Sequence, residues 1–202
     1  DVDSDQLSFE LAAKIGFKAV DQGNLVTFGI EPTHAETGYG YLELEENQTH
    51  SYKLVSRFVE KPNYKHALEM FEDGNFLWNS GIFMFRPSDL LEEFEKYEKS
   101  MLDHVSKAVE KGVPDLGFLR LEASYWKDLE NISLDYAIME KAENIVAVPF
   151  SAGWSDLGGW DAVLNGSKLD DKGVAVSENA HSIDCQNSLL RSESPSQEIV
   201  GL

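Results

Sequence analysis

The sequence predicts an α/β protein with a mixed, largely buried sheet, followed by a run of short strands. Two observations carry this. From residue 7 to residue 150, helical spacings alternate with short apolar runs, punctuated by Gly and Pro. After Asp170 the texture changes to short apolar stretches (Val174 to Val176, Leu189-Leu190, Ile199-Val200) separated by Ser, Asn, Asp and Gly. That second texture fits short strands between turns, as in the first coils of a β-solenoid. A chain of 202 residues can build one sizeable core, or a large and a small domain. The expected division is residues 1–168 for the α/β part and 169–202 for the beginning of the solenoid.

In chain order, Leu11, Ile15 and Ala19 give residues 7–22 a helical stripe that Gly23 ends. Residues 24–30 read as a buried strand closed by Glu31-Pro32-Thr33. Residues 37–41 (Thr-Gly-Tyr-Gly-Tyr) form a Gly-rich turn, for which a tight hairpin is the bland expectation. Tyr52 to Val59 is strand-like. Asn63 caps a helix that reaches Asp73 and stops at Gly74. A short strand is expected over 82–85, a helix from Ser88 to Tyr97, and another over 101–111. Ser133 caps a helix over 134–141, and 145–150 is again a strand.

Hydrophobic and charged fractions are those of an ordinary globular protein, and no apolar run is long enough to cross a bilayer. The formal net charge is −19, which excludes nucleic acid and anionic membranes as partners, since both need a basic face. An anionic ligand would then need a local cation or a bound divalent metal. The single cysteine, Cys185, rules out an internal disulfide framework and points to a reducing, cytoplasmic setting.

Four segments hold polar groups between apolar flanks. In Glu60-Lys61-Pro62, Lys61 suits a phosphate as a compact charge, and Glu60 can accept from hydroxyls. Both reach one ligand only if the strand ends or twists there, and alone the triplet reads as a solvated pair. In Trp78-Asn79-Ser80-Gly81, Asn79 offers both donor and acceptor, and Gly81 lets backbone approach a ligand; a capped turn between helix and strand is the equal alternative. Gly38 and Gly40 expose backbone. Asp156, in a Gly-rich loop between Trp154 and Trp160, is a candidate Mg²⁺ ligand or a local loop acceptor. The five histidines show no metal-ligand spacing. Three glycosylation triplets, at Asn47, Asn131 and Asn165, have nothing beside them that suggests secretion. The glutamates around Lys107 and Lys111 read as a solvated helix face. Asp1, Asp3 and Asp5 read as a solvated helix entry.

Taken in order, residues 26–33, 36–41, 58–62, 77–85, 132–141 and 153–160 resemble the mannose-1-phosphate guanylyltransferase family, including the form fused to a mannose-6-phosphate isomerase. The resemblance implies a Rossmann-like nucleotidyltransferase domain followed by the start of a left-handed β-helix. It implies formation of GDP-mannose and pyrophosphate from GTP and mannose 1-phosphate, with Mg²⁺. Carried over, Lys61 binds the sugar phosphate, Gly40, Glu60, Asn79 and Gly81 line the sugar, and Asp156 holds Mg²⁺. Lys61 and Asp156 are the residues expected to act in catalysis. The family's opening Gly-rich loop and its Pro-x-Asp-His segment are not in this sequence. The chain therefore resembles the acceptor-sugar half of a longer enzyme and is expected to be inactive alone. A non-catalytic sugar-phosphate-binding module, or a transferase for another sugar phosphate or base, is the alternative. An exposed solenoid edge would favour a homodimer.

Overall fold

The computed structural model describes residues 6–45, 51–150 and 153–202. Asp1, Asp3, Asp5 and the Asn47 triplet lie outside the described residues. Two compact units divide the chain between 152 and 153, so the expected boundary at 168 falls inside the second unit.

The first unit runs α1 (Gln6–Val20), β1 (Leu25–Ile30), β2 (Tyr41–Leu44), β3 (Lys53–Val59), α2 (Tyr64–Asp73), β4 (Phe76–Met84), α3 (Pro87–Tyr97), α4 (Lys99–Glu110), β5 (Val113–Asp115), β6 (Phe118–Arg120), α5 (Ala123–Trp126), a π-helical turn (Asp135–Met139) and β7 (Ile145–Pro149). Five of these strands form one mixed sheet in the order β1-β4-β2-β3-β7, and β7 closes it by pairing with β1. The β1–β7 pairing is parallel and the other four are antiparallel. A sheet buried on both faces selects continuous apolar strands, and Leu25, Val26, Thr27 and Phe28 of β1 are all buried. Against β1, β2 and β7 pack Ala137, Ile138 and Met139 of the π-helical turn. Full burial of a side chain such as Ile138 stabilises the fold by about 2 kcal/mol. A second cluster joins Tyr41, Ala67, Met70, Phe76 and Trp78 beneath α2.

Local chemistry explains both ends of α2. The Asn63 side chain accepts from the His66 amide at 3.1 Å, and Gly74 turns left-handed at φ 75°, so α2 has both expected caps. Three expectations are corrected. The segment through Asn79 is neither a turn nor the lead-in to a short strand: β4 runs from Phe76 through it, because Trp78 and Asn79 pair with β1 while Leu77 and Trp78 pair with β2. Residues 37–40 do not make a hairpin, since β1 and β2 are separated by β4 in the sheet. Ser88 does not cap α3: Arg86 holds that position, Pro87 opens the helix, and the Ser88 hydroxyl donates to Asp89.

In the second unit, α6 (Trp160–Asn165) precedes four short strands, β8 (Ala175–Val176), β9 (Ala180–Ser182), β10 (Leu189–Leu190) and β11 (Ile199–Gly201). Parallel pairs β8–β10 and β9–β11 stack successive turns of chain. Gly201 is needed for this approach, because a Cβ there would stand 2.6 Å from Leu190 Cδ1.

Candidate functional site

The site is built where β3 ends beside the middle of β4. β3 stops at Val59, and Lys61 adopts φ 46°, a left-handed conformation that breaks the strand's alternation. This meets the condition for Glu60 and Lys61 to serve one ligand: Lys61 Nζ lies 3.5 Å from Glu60 Oε1. The two side chains differ sharply in exposure, 59% for Lys61 against 9% for Glu60. Glu60 Oε2 is buried and makes no hydrogen bond among the described residues. An unpaired buried acceptor is costly and marks a place where a ligand donor is missing.

Gly40 makes room for that carboxylate. A Cβ at Gly40 would stand 2.5 Å from Glu60 Oε2 and 3.3 Å from both Asn79 Cβ and Phe58 Cε1. The Gly40 carbonyl also accepts from the Asn79 amide at 2.8 Å, which ties the loop before β2 to β4. Asn79 is 8% exposed. Its Oδ1 accepts from the Thr27 hydroxyl at 2.7 Å and from the Gly81 amide at 3.2 Å, and its Nδ2 donates to Asp135 Oδ1 at 3.0 Å. Gly81 has φ 71°, and the strand's irregular pairing falls opposite it. So Gly40, Glu60, Lys61, Asn79 and Gly81 are brought into one neighbourhood. Asn79 differs from expectation, since both lone pairs of its carbonyl are already engaged.

Three residues of this neighbourhood carry no sequence assignment: Thr27, Asp135 and Glu140. Asp135 opens a π-helical turn rather than the capped α-helix expected from Ser133, and π-turns gather at functional sites. Glu140 Oε1 accepts the Glu60 backbone amide at 3.0 Å, holding the end of β3. Both lie in the 132–141 stretch that carries the family resemblance, which is the signal that could have found them. Glu60 is pushed above the usual carboxylate range, first by burial and then by the charge of Asp135; Lys61 opposes this and Glu140 adds to it.

Asp156 lies in the second unit, exposed, in the loop before α6. Gly158 leaves space for it, because a Cβ there would stand 2.5 Å from Asp156 Oδ2. Leu157 is left-handed at φ 49°, and its amide donates to Ser155 Oγ at 3.3 Å. Among the described residues no group of three or more His, Cys, Asp or Glu side chains is placed to hold a metal, and no helix is long and apolar enough to cross a membrane.

Known proteins align with this geometry. The nucleotidyl transferase family matches residues 6–173. The xanthan biosynthesis protein XanB of Xanthomonas campestris pv. campestris is 40% identical over 183 residues, 91% of this chain and 39% of its own. The mannose-1-phosphate guanylyltransferase RfbM of Salmonella typhimurium is 36% identical over 94% of this chain and 40% of its own. The chain thus spans about two-fifths of the length of the curated relatives it matches. A crystal structure of mannose-1-phosphate geranyltransferase from Thermus thermophilus superposes with a TM-score of 0.81 at 28% identity, covering 98% of this chain and 56% of that one. With the five-stranded sheet, the π-helical turn and the loop of Asp156 all inside the matched span, the chain belongs to the nucleotidyl transferase family.

Proposed function

We propose that this chain supplies the sugar-phosphate side of a mannose-1-phosphate guanylyltransferase, an enzyme that forms GDP-mannose and pyrophosphate from mannose 1-phosphate and GTP. The observation that carries the reading is Glu60 Oε2, a buried acceptor without a partner among the described residues, next to the exposed ammonium of Lys61. A hydroxyl of the sugar satisfies the first and the phosphate meets the second. The guanylyltransferase among the relatives supports the choice of sugar and base. In this reaction the protein chiefly positions the attacking phosphate and neutralises charge. Lys61 holds the sugar phosphate, while Glu60 and Asn79 fix the ring that carries it.

Mg²⁺ belongs to the same reading. Asp156 fits it: an exposed, hard oxygen donor suits an ion that takes one or two carboxylates and completes its shell with water and phosphates. Bound there, the ion would supply charge neutralisation for the anionic reactants. A left-handed β-helix beginning in the second unit is supported by the stacked parallel pairs β8–β10 and β9–β11. The edges of these pairs, unpaired among the described residues, support a homodimer. A cytoplasmic setting belongs to the same reading and rests on the single cysteine, Cys185.

Calorimetric titration of the chain with mannose 1-phosphate tests the proposal. Binding is expected, and Lys61→Ala should weaken it about tenfold or more, the scale of one charge-assisted contact. A wild-type chain that takes up no sugar phosphate, or a Lys61→Ala chain that binds as well, would sink it. Gly40→Ala should act through geometry instead. The added methyl displaces the far end of the flexible Glu60 side chain, a small loss of stability, but it takes the carboxylate away from the ligand. Binding should fall about tenfold while the melting temperature drops only a few degrees; unchanged affinity would show that Glu60 does not contact the sugar.

A further inference from the structure

The hydrogen bonds around Asn79 fix more than its position. The Gly81 amide is a donor only, so the amide atom facing it at 3.2 Å must be the oxygen. The Asp135 carboxylate, when ionised, is an acceptor only, so the atom facing it at 3.0 Å must be the nitrogen. Two independent neighbours therefore impose the same orientation, and the usual ambiguity of an amide does not arise. Thr27 fills the second lone pair at 2.7 Å. What Asn79 has left for a ligand is one N–H. Glu60 Oε2, by contrast, has only lone pairs to offer and has no partner among the described residues. Gly40 adjoins both residues, since the point where its side chain would begin lies 2.5 Å from Glu60 Oε2 and 3.3 Å from Asn79 Cβ.

We propose that Asp135 is a positioning residue: it holds one N–H of Asn79, whose oxygen Gly81 and Thr27 already fill, and so aims the other N–H, and the site selects a sugar phosphate with two neighbouring hydroxyls, one accepting from Asn79 and the other donating to Glu60. This rests on the reading of the site as a sugar-phosphate pocket and states what chemistry that pocket demands. The π-helical turn is the device that delivers it. The wider turn carries Asp135 to β4 while Ala137, Ile138 and Met139 stay in the core. Asp135 is separated from Asn79 by 56 residues, so the pairing is a product of the fold alone.

Deoxy and deoxyfluoro analogues of mannose 1-phosphate distinguish the two roles, because fluorine can accept weakly but cannot donate. Titrated into the wild-type chain, the hydroxyl facing Asn79 should be the one whose removal weakens binding and whose replacement by fluorine restores much of it. The hydroxyl facing Glu60 should be lost equally with hydrogen or fluorine in its place. Asp135→Ala should weaken the parent sugar phosphate about tenfold and shrink the fluorine rescue, because the N–H of Asn79 is no longer aimed although Gly81 and Thr27 still hold its oxygen, whereas Asp135→Asn, which can still present an oxygen to Asn79, should stay within about threefold and keep it. A second readout is the acid limb of binding. The charged groups facing Glu60 are Asp135, Glu140 and Lys61, and removing the first charge in Asp135→Asn should move the loss of binding to lower pH. If the wild-type chain binds mannose 1-phosphate but no position shows fluorine rescue, Asn79 is not a donor-only group and the inference fails while the pocket stands. If Asp135→Ala keeps the whole analogue pattern, Asp135 does not set it. Should Asp135→Ala not fold, the wild-type pattern and the pH shift of Asp135→Asn decide. Absence of any sugar-phosphate binding by the wild-type chain overturns both readings.

Discussion

Glu60→Gln is expected to make the protein more stable at neutral pH and to weaken its hold on the ligand. Glu60 sits 9% exposed with one oxygen unpaired among the described residues. It faces Asp135 and Glu140, and the Lys61 ammonium at 3.5 Å opposes their negative charge without cancelling it. Burial and then the Asp135 charge raise its folded pKa above the unfolded value. A group raised in this way contributes stability that is present below its unfolded pKa and lost as pH climbs through the folded one. At pH 7 the ionised carboxylate therefore weighs against the fold. Glutamine keeps the shape and removes the charge. Its melting temperature should exceed that of the wild type at pH 7, and the difference should vanish as pH falls toward about 4, where the wild-type side chain is itself protonated. Binding of mannose 1-phosphate should fall by about one to two orders of magnitude, the worth of a charge-assisted hydrogen bond. Thermal melts at both pH values, with calorimetry beside them, check this. A variant that melts lower at pH 7 would show that the carboxylate is satisfied in the folded state.

On the proposed function, Asp156→Asn in the natural protein should abolish GDP-mannose formation at ordinary Mg²⁺ and leave the melting temperature unchanged. Asparagine retains the outline of aspartate, one oxygen and the clearance that Gly158 provides, so the loop has no reason to rearrange. What disappears is a full negative charge on an exposed loop. A small, tightly hydrated dication gives up water for carboxylates far more readily than for neutral oxygens. Pyrophosphate release, followed as Mg²⁺ is raised, should show partial recovery only at high concentration. Full activity of the variant at ordinary Mg²⁺ would remove Asp156 from the metal reading.

The parts of this site that were legible in the sequence are those that sit within a few residues of one another. Glu60 and Lys61 stand out because a polar pair ends an apolar strand, and Asn79 and Gly81 because they interrupt one. The helix over 64–73 was readable for the same reason, since its cap and its stop are local chemistry. Asp135 and Glu140 were not legible from spacing, because their partners lie 56 and 80 residues away. A Ser-x-Asp stretch before apolar residues looks like an ordinary helix start, whereas the segment that packs against β1 and β7 is a π-turn. The same limit explains the error at β4. A strand carrying Asn, Ser and Gly in its middle reads as a break until Thr27, on the neighbouring strand, is seen to satisfy the asparagine.

The closing of the sheet has a consequence for how the molecule is made. Leu25 to Gly29 gain their second neighbour only from Ile145 to Pro149, so during synthesis one flank of β1 stays bare until those distant residues have left the ribosome. An uncharged, largely apolar ribbon waiting that long is a hazard for self-association. Folding held back by so distant a partner should be slow, and nascent chains arrested before residue 145 should depend on chaperones in a way that the finished chain does not.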